Sequence, residues 1–270
     1  MKYISIIESF YPSFSKQEKK VADFILSEQN DVCIMSLEDI TKKIDVSKAT
    51  IFRVVKKLGF KGFIEFKLEV ARELSTVEQK YSEDYIENIE MNILETIKSS
   101  KVLIDRQSLE DAIVSIEKSK KMYIFGVGSS GVAGEELQNR FMRFGKIAHS
   151  VCDTHFQVMY ASTTSKEDII VVISLSGETK DLVYPLTLAK ERGCKIIVIT
   201  NYIMSTIAKI GDIVLLTAGK ENPLNGGSLV SKISQLYIID ILATGYALRN
   251  KNKAEQTRQD IAKSIAMMNK

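Results

Sequence analysis

Residues Asp168–Thr179, D-I-I-V-V-I-S-L-S-G-E-T, hold an unbroken apolar run that stops in a cluster of hydroxyls and one glycine. Ile169 to Ile173 is β-branched throughout and too short to span a membrane, which predicts a strand buried on both faces of a parallel sheet. Such a strand delivers its loop to the carboxyl edge of the sheet. There Ser174, Ser176 and Thr179 offer hydroxyls, Gly177 lets backbone come close, and a helix starting near Glu178 aims its first amides at the same point. A serine-glycine turn with a helix cap satisfies the same pattern, so the loop alone leaves two readings open. A second loop favours the anion site. Lys121 to Phe125 is another apolar strand, followed by Gly126-Val127-Gly128-Ser129-Ser130-Gly131 and a helical pattern through Phe144.

Outward from these two loops, strands are predicted near 122–126, 147–151, 168–174, 195–200 and 212–216, with helices between. This is the rhythm of an α/β, doubly wound parallel sheet covered on both faces. A long apolar helix over 228–248 and an amphipathic one over 254–268 complete it. Gly126-x-Gly128-x-x-Gly131 also matches the dinucleotide fingerprint, with Asp153 where a ribose-binding acid belongs. Against that, the loop at 174–179 is redundant for a dinucleotide and natural for a small phosphorylated molecule clasped between two turns. His149 and His155 are the only histidines. The Asp153-x-His155 pair reads as acid and base, as a sugar contact, or as a helix cap. No catalytic residue is assigned, because a base without a partner acid does little.

The chain has 270 residues, 45% of them hydrophobic, and a net charge of +3. That is enough for two domains, and it confines any nucleic-acid surface to a local patch. Cys33, Cys152 and Cys194 lie far apart without metal-binding or disulfide-framework spacing, and read as small apolar residues. No apolar run approaches membrane-spanning length and the first residues lack a signal-peptide pattern, so the reading is a cytoplasmic protein with no membrane partner, metal or cofactor.

The first 76 residues read as all-helical. Ser15 to Ser27 carries Val21, Ala22, Ile25 and Leu26 on one face, and Ser36-Leu37-Glu38-Asp39 has capping-box spacing. The helix so opened ends near Ile44, Asp45 occupies a left-handed turn position, and Ser47 caps a helix from Lys48 to Leu58 that Gly59 ends. Helix, short turn, helix with Ile40, Ile44, Val46, Ile51 and Val54 inward is the helix-turn-helix pattern. Ser47, Lys48, Ala49, Phe52 and Arg53 then face outward. Lys42 to Lys67 holds eight basic residues against Asp45 and Glu65, so lysines are placed to hold phosphates, with Arg53 and Lys48 the candidates for base edges. A helical docking module with a solvated lysine face is the alternative.

From Met35-Ser36-Leu37-Glu38-Asp39-Ile40 through Val46-Ser47-Lys48-Ala49-Thr50-Ile51-Phe52-Arg53 to Lys57-Leu58-Gly59-Phe60-Lys61-Gly62-Phe63-Ile64-Glu65-Phe66-Lys67, the sequence resembles the DNA-binding domain of the RpiR/MurR family of bacterial transcriptional regulators. Members of that family join this domain to a sugar isomerase (SIS) domain, which the second half resembles in turn. The sequence departs in Asp45, where the family usually places Gly, and in Val54-Val55, where Phe-Cys is common.

The resemblance implies a helix-turn-helix domain over 1–76, a helical linker over 77–104 and a SIS domain over 105–270. It implies DNA contacts from Ser47, Lys48, Ala49, Thr50, Phe52, Arg53, Lys57 and Lys61. Ser-x-Ser-Gly-x-Thr is the family's phosphate motif, so Ser174, Ser176 and Thr179 are expected to hold phosphate, with Ser129 and Ser130 on phosphate or sugar. Glu221, Ser228 and Ser231 fall where the family often completes the sugar site. The expected function is regulation of sugar metabolism by a homodimer, or higher homo-oligomer, whose affinity for double-stranded operator DNA answers to a phosphorylated sugar. A sugar-phosphate isomerase with an added helical domain is the alternative, although the glutamate-histidine segment of such isomerases is not found here.

Overall fold

The computed structural model describes residues 2–74, 84–219 and 229–268. Its N-terminal part is helical: α1 (Lys2–Phe10), a 3-10 turn at Tyr11–Ser13, α2 (Lys16–Ser27), α3 (Gln29–Ile34), α4 (Leu37–Ile44), α5 (Lys48–Lys57) and α6 (Phe63–Leu74). Their apolar faces close on one core that includes Tyr3, Val21, Ile25, Ile40, Ile51, Val54 and Phe66. α7 (Tyr85–Leu103) follows, and the chain divides inside it into two compact units, Met1–Glu95 and Thr96–Lys270. The boundary expected at 76–77 lies outside the described residues.

Local chemistry explains the helix ends. Ser15 and Glu18 form a reciprocal capping box that opens α2. At Ser36 the hydroxyl accepts from the Asp39 amide at 3.2 Å and donates to the Asp39 carboxylate at 2.6 Å, and hydrogen bonding from the Ser36 hydroxyl and backbone holds that carboxyl below its usual range. Asp45 takes the left-handed conformation with φ 51°, and Val46 N–H returns to Thr41 C=O at 3.2 Å. Ser47 then caps α5, accepting from the Thr50 amide. Gly59, with φ 88°, ends α5 through paired bonds from Gly59 N–H to Lys56 C=O and from Phe60 N–H to Val55 C=O, the closure that a left-handed glycine permits.

The second unit begins with the end of α7 and α8 (Arg106–Lys118), then alternates β1 (Met122–Phe125), α9 (Ser129–Arg143), β2 (Ala148–Val151), α10 (Thr154–Thr163), β3 (Ile169–Ile173), α11 (Lys180–Glu191), β4 (Lys195–Thr200), α12 (Thr206–Ile210) and β5 (Ile213–Leu216); α13 (Leu229–Arg249) and α14 (Lys251–Met268) close it. All strand pairs are parallel in the order β2-β1-β3-β4-β5. β3 is central and buried at every position, as its composition predicts. Met122, Ile124, Ile169 and Val171 pack with α8, α9 and α13 on one face, while Tyr123, Phe125, Ile170 and Val172 pack with α10, α11 and α12 on the other. Each such buried Ile or Val contributes about 1.5–3 kcal/mol relative to exposure. Among the described residues no helix is long and apolar enough to cross a membrane, and no cluster of His, Cys, Asp and Glu has metal-holding geometry.

One ion pair fastens α5 to α2. Glu18 is buried and its carboxylate meets Lys57 Nζ at 2.8 Å, with that ammonium also over the Phe14 ring at 5.4 Å. Burial alone would raise the Glu18 pKa, but Lys57 together with the Ser15 amide and hydroxyl outweighs it and holds the carboxyl below its usual range. A lowered folded-state pKa stabilises above the unfolded value and is lost as pH falls through the folded one. Lys57→Met is therefore expected to cost the helical unit about 1–2 kcal/mol at pH 7. It should also flatten the loss of stability that the unmodified protein undergoes as acid protonates Glu18. Urea unfolding of both proteins from pH 7 down to about pH 3 measures both effects.

Candidate functional site

β1 and β3 are hydrogen-bonded neighbours, paired up to Phe125 opposite Val172. After β1 the chain turns back to pair β2 on one side, and after β3 it proceeds to β4 on the other. The carboxyl ends of β1 and β3 are thus the switch point of the sheet, where doubly wound folds open a crevice. Neighbouring strands lie about 5 Å apart, so the loops 126–129 and 174–179 leave the sheet side by side. Each leads into a helix on a different face, α9 and α11.

Both helices begin without a side-chain cap. Gly128, the N-cap of α9, has φ 60° and no side chain to offer, and Thr179, the N-cap of α11, makes no capping bond. α8, α10 and α12 differ, being closed by Asp105, Asp153 and Ser205. Uncapped first-turn amides and the positive helix end together form an anion-binding edge.

The predicted hydroxyls sort into two kinds. Ser129 is exposed, and Ser176 is half-buried, its oxygen accepting from the Glu178 amide at 3.2 Å with its own proton left to donate. Ser174 is buried and its hydroxyl lies 3.1 Å from that of Thr179, which is partly exposed. That contact explains why Thr179 does not cap α11, and it makes Ser174 a support for Thr179 rather than an exposed donor. Ser130 is 8% exposed and accepts from Gln235 Nε2 at 2.9 Å. Gly177 has φ 64°, and a Cβ there would sit 2.0 Å from Ser205 Oγ. Glu221 and Ser228 lie outside the described residues; Ser231 lies in α13, its side chain outside them.

Three residues at this edge escape the motif reading. Glu178 turns its carboxylate away to the start of α12, accepting from the Thr206 amide at 2.8 Å and hydroxyl at 2.7 Å. Gln157 and Gln235 are both fully buried. Gln157 Nε2 donates to Gly126 C=O at 3.2 Å and Val151 C=O at 2.7 Å, tying together the ends of β1 and β2. The carbonyl oxygens of both amides meet no donor among the described residues. A signal for them exists: Gln235 occupies the first position of an i, i+3, i+4, i+7 apolar stripe with Ile238, Ile239 and Leu242, where a polar residue calls for a buried partner.

Asp153 caps α10, its carboxylate accepting the Phe156 amide at 2.9 Å. Of the open readings of Asp153-x-His155, the cap is the one built here. Exposed His149 stacks against Tyr123 with ring centroids 6.1 Å apart, and His155 is exposed. Cys194 is buried, which pushes its thiol up to about 12, whereas Cys152 is exposed and departs from the expectation of an apolar filler.

On α5, Ser47, Lys48, Ala49, Phe52 and Arg53 are exposed while Ile51, Val54 and Val55 are buried. Thr50 departs from the expected contact set: it is 4% exposed, and its hydroxyl lies 2.9 Å from Ser47 Oγ and accepts from Arg53 Nη2 at 3.2 Å. Its hydroxyl is thus turned toward Ser47 and Arg53. Lys48 pairs with Glu38 at 2.5 Å on the surface, Lys57 is committed to Glu18, and Lys61 is exposed.

A model of the helix-turn-helix domain of the rpiR family matches residues 1–77, and one of the SIS domain matches residues 115–245. An HTH-type transcriptional regulator of Haemophilus influenzae is 31% identical over 94% of this chain and 92% of its own length. The HTH-type transcriptional regulator RpiR of Escherichia coli is 27% identical over 91% of this chain and 86% of its own. Among solved structures, the Vibrio vulnificus NanR protein complexed with ManNAc-6P aligns at a TM-score of 0.66 and 28% identity, covering 98% of each chain.

The Gly177 geometry yields a sharp expectation. Gly177→Ala adds a side chain at positive φ and drives it into Ser205, so it should destabilise the sheet unit by about 2 kcal/mol or more. Thermal unfolding, compared with the equally small change Ser176→Ala, checks that the cost comes from backbone and overlap rather than from altering the loop.

Proposed function

This chain belongs to the rpiR family of helix-turn-helix transcriptional regulators that carry a SIS domain, and from that premise we propose that a phosphorylated sugar bound between β1 and β3 sets its affinity for operator DNA. One observation carries the proposal. Two helices with uncapped N-termini start side by side at the switch point, and their loops and first turns bear Ser129, Ser130, Ser176 and Thr179. This chemistry suits a phosphoryl group, whose charge the helix ends stabilise and whose oxygens accept the hydroxyl protons. The ManNAc-6P bound by NanR is a ligand of that class and supports the same assignment here.

In this reading residues 1–76 bind DNA, 77–104 link, and 105–270 receive the effector. Arg53 reads a base edge, Ser47, Lys48, Ala49, Phe52 and Lys61 line the groove or hold phosphates, and a homodimer in the cytoplasm meets paired half-sites. In this reading the site performs no turnover, and Asp153, a candidate acid, is spent on the cap of α10. Incubation with a panel of sugar phosphates, ManNAc-6P included, should leave them chemically unchanged while altering operator gel shifts. Conversion of any of them to an isomer would favour the isomerase alternative.

Two substitutions separate the halves. Arg53→Ala should weaken operator binding about tenfold or more and relax sequence preference, with effector affinity unchanged in calorimetry. Thr50→Val, which releases the Arg53 guanidinium, should act in the same direction and less. Ser176→Ala should weaken sugar-phosphate binding roughly 5- to 10-fold and blunt the effector response in gel shifts without lowering operator affinity in its absence.

A further inference from the structure

Gln235 stands in α13, fully buried, and its side-chain amide donates to Ser130 Oγ at 2.9 Å. Ser130 is the second residue of α9, directly behind the loop that faces the switch point. A serine hydroxyl has one proton to give and two lone pairs to receive with. Since the amide fills a lone pair, the Ser130 proton stays uncommitted, and no acceptor for it appears among the described residues. An oxygen that already accepts a hydrogen bond also makes its own O–H the stronger donor. Were the amide turned over, its oxygen would take the Ser130 proton and bury an orphaned N–H₂. Buried N–H groups without acceptors are rarer than under-satisfied carbonyls, and the carbonyl is the atom left unpartnered here.

We propose that Gln235 is a positioning residue of the anion site, whose amide holds Ser130 so that the serine hydroxyl is presented as a donor to a phosphoryl oxygen of the ligand. The inference rests on the phosphate reading above and extends it to a residue on another helix, 105 positions along the chain. A neutral amide suits the task. It donates without adding a charge, whereas a carboxylate in its place would accept the Ser130 proton and set a negative charge beside the ligand.

Calorimetric titration of the full-length protein with inorganic phosphate and with glucose 6-phosphate tests this, using Ser130→Ala, Gln235→Leu, their double variant, Gln235→Glu, and Ser176→Ala. Thermal melts verify folding, and the isosteric Gln235→Glu carries the test should the leucine variant misfold. Gln235→Leu is expected to weaken binding about 5- to 10-fold, the double variant to be no weaker than Ser130→Ala alone, and Gln235→Glu to bind at least as poorly as Gln235→Leu. Additive losses in the double variant, or unimpaired binding by Gln235→Glu, would overturn the role given to Gln235. If Ser176→Ala weakens binding while Ser130→Ala does not, this inference falls and the phosphate reading stands. If the unmodified protein binds neither probe, both fall.

Discussion

Two helix ends left open at the carboxyl edge of a parallel sheet constrain everything else in the C-terminal unit. Unsatisfied first-turn amides concentrate positive potential. In α8, α10 and α12 an Asp or Ser side chain closes that end, but in α9 the N-cap is a glycine, and in α11 the N-cap threonine is bonded to Ser174. The two open ends coincide where the strand order reverses, because β1 and β3 are adjacent and send their helices to opposite faces. An anion bound there, as proposed, would meet both ends at once, beside the buried polar contacts of Ser174, Gln157 and Gln235.

On the helical unit, magnitudes separate the lysines. The exposed Lys48–Glu38 pair is worth at most about 1 kcal/mol, so exchanging Glu38 for a DNA phosphate costs little. Lys57 cannot be lent in the same way, since Glu18 is buried and would be left charged without a partner. In the proposed DNA contact, affinity on this face would therefore fall to exposed lysines and discrimination to Arg53, which donates to the Thr50 hydroxyl.

The sequence made the local decisions legible. Strand composition marked β1 to β5, Asp45 was placed in a left-handed turn, and Ser47 and Gly59 were read as the two ends of α5, because each depends on residues within a few positions. What escaped the reading depends on which side chains the fold buries and on partners remote in the chain. Thr50 looks like an outward residue until its hydroxyl is seen between Ser47 and Arg53. Lys57 looks like a free cation, but Glu18 lies 39 positions earlier. Ser174 carries the same hydroxyl as Ser176, yet burial turns it toward Thr179. Gln235 interrupts an apolar stripe, which signals a buried partner without naming it.

An effector can change operator affinity only by as much as it distinguishes two arrangements of the protein, typically about 1–3 kcal/mol. The proposed control therefore needs physical continuity between the phosphate loop and the segment leading to the DNA-binding unit. Buried hydrogen bonds supply it. Leu175 C=O, inside the loop, accepts from Asn201 N–H at 3.0 Å and Thr200 Oγ1 at 3.1 Å. Asn201 in turn bonds the Thr217 hydroxyl and Gly219 C=O, and between those two the Ala218 amide donates to Ser100 Oγ at 3.1 Å. Ser100 is buried in the C-terminal half of α7, a single uninterrupted helix that begins at Tyr85. Leu175, Thr200, Asn201, Thr217, Ala218 and Ser100 are all buried, so the proposed control has a contiguous hydrogen-bonded route through the unit. The loop proposed to receive the anion is thus bonded, strand end by strand end, to α7.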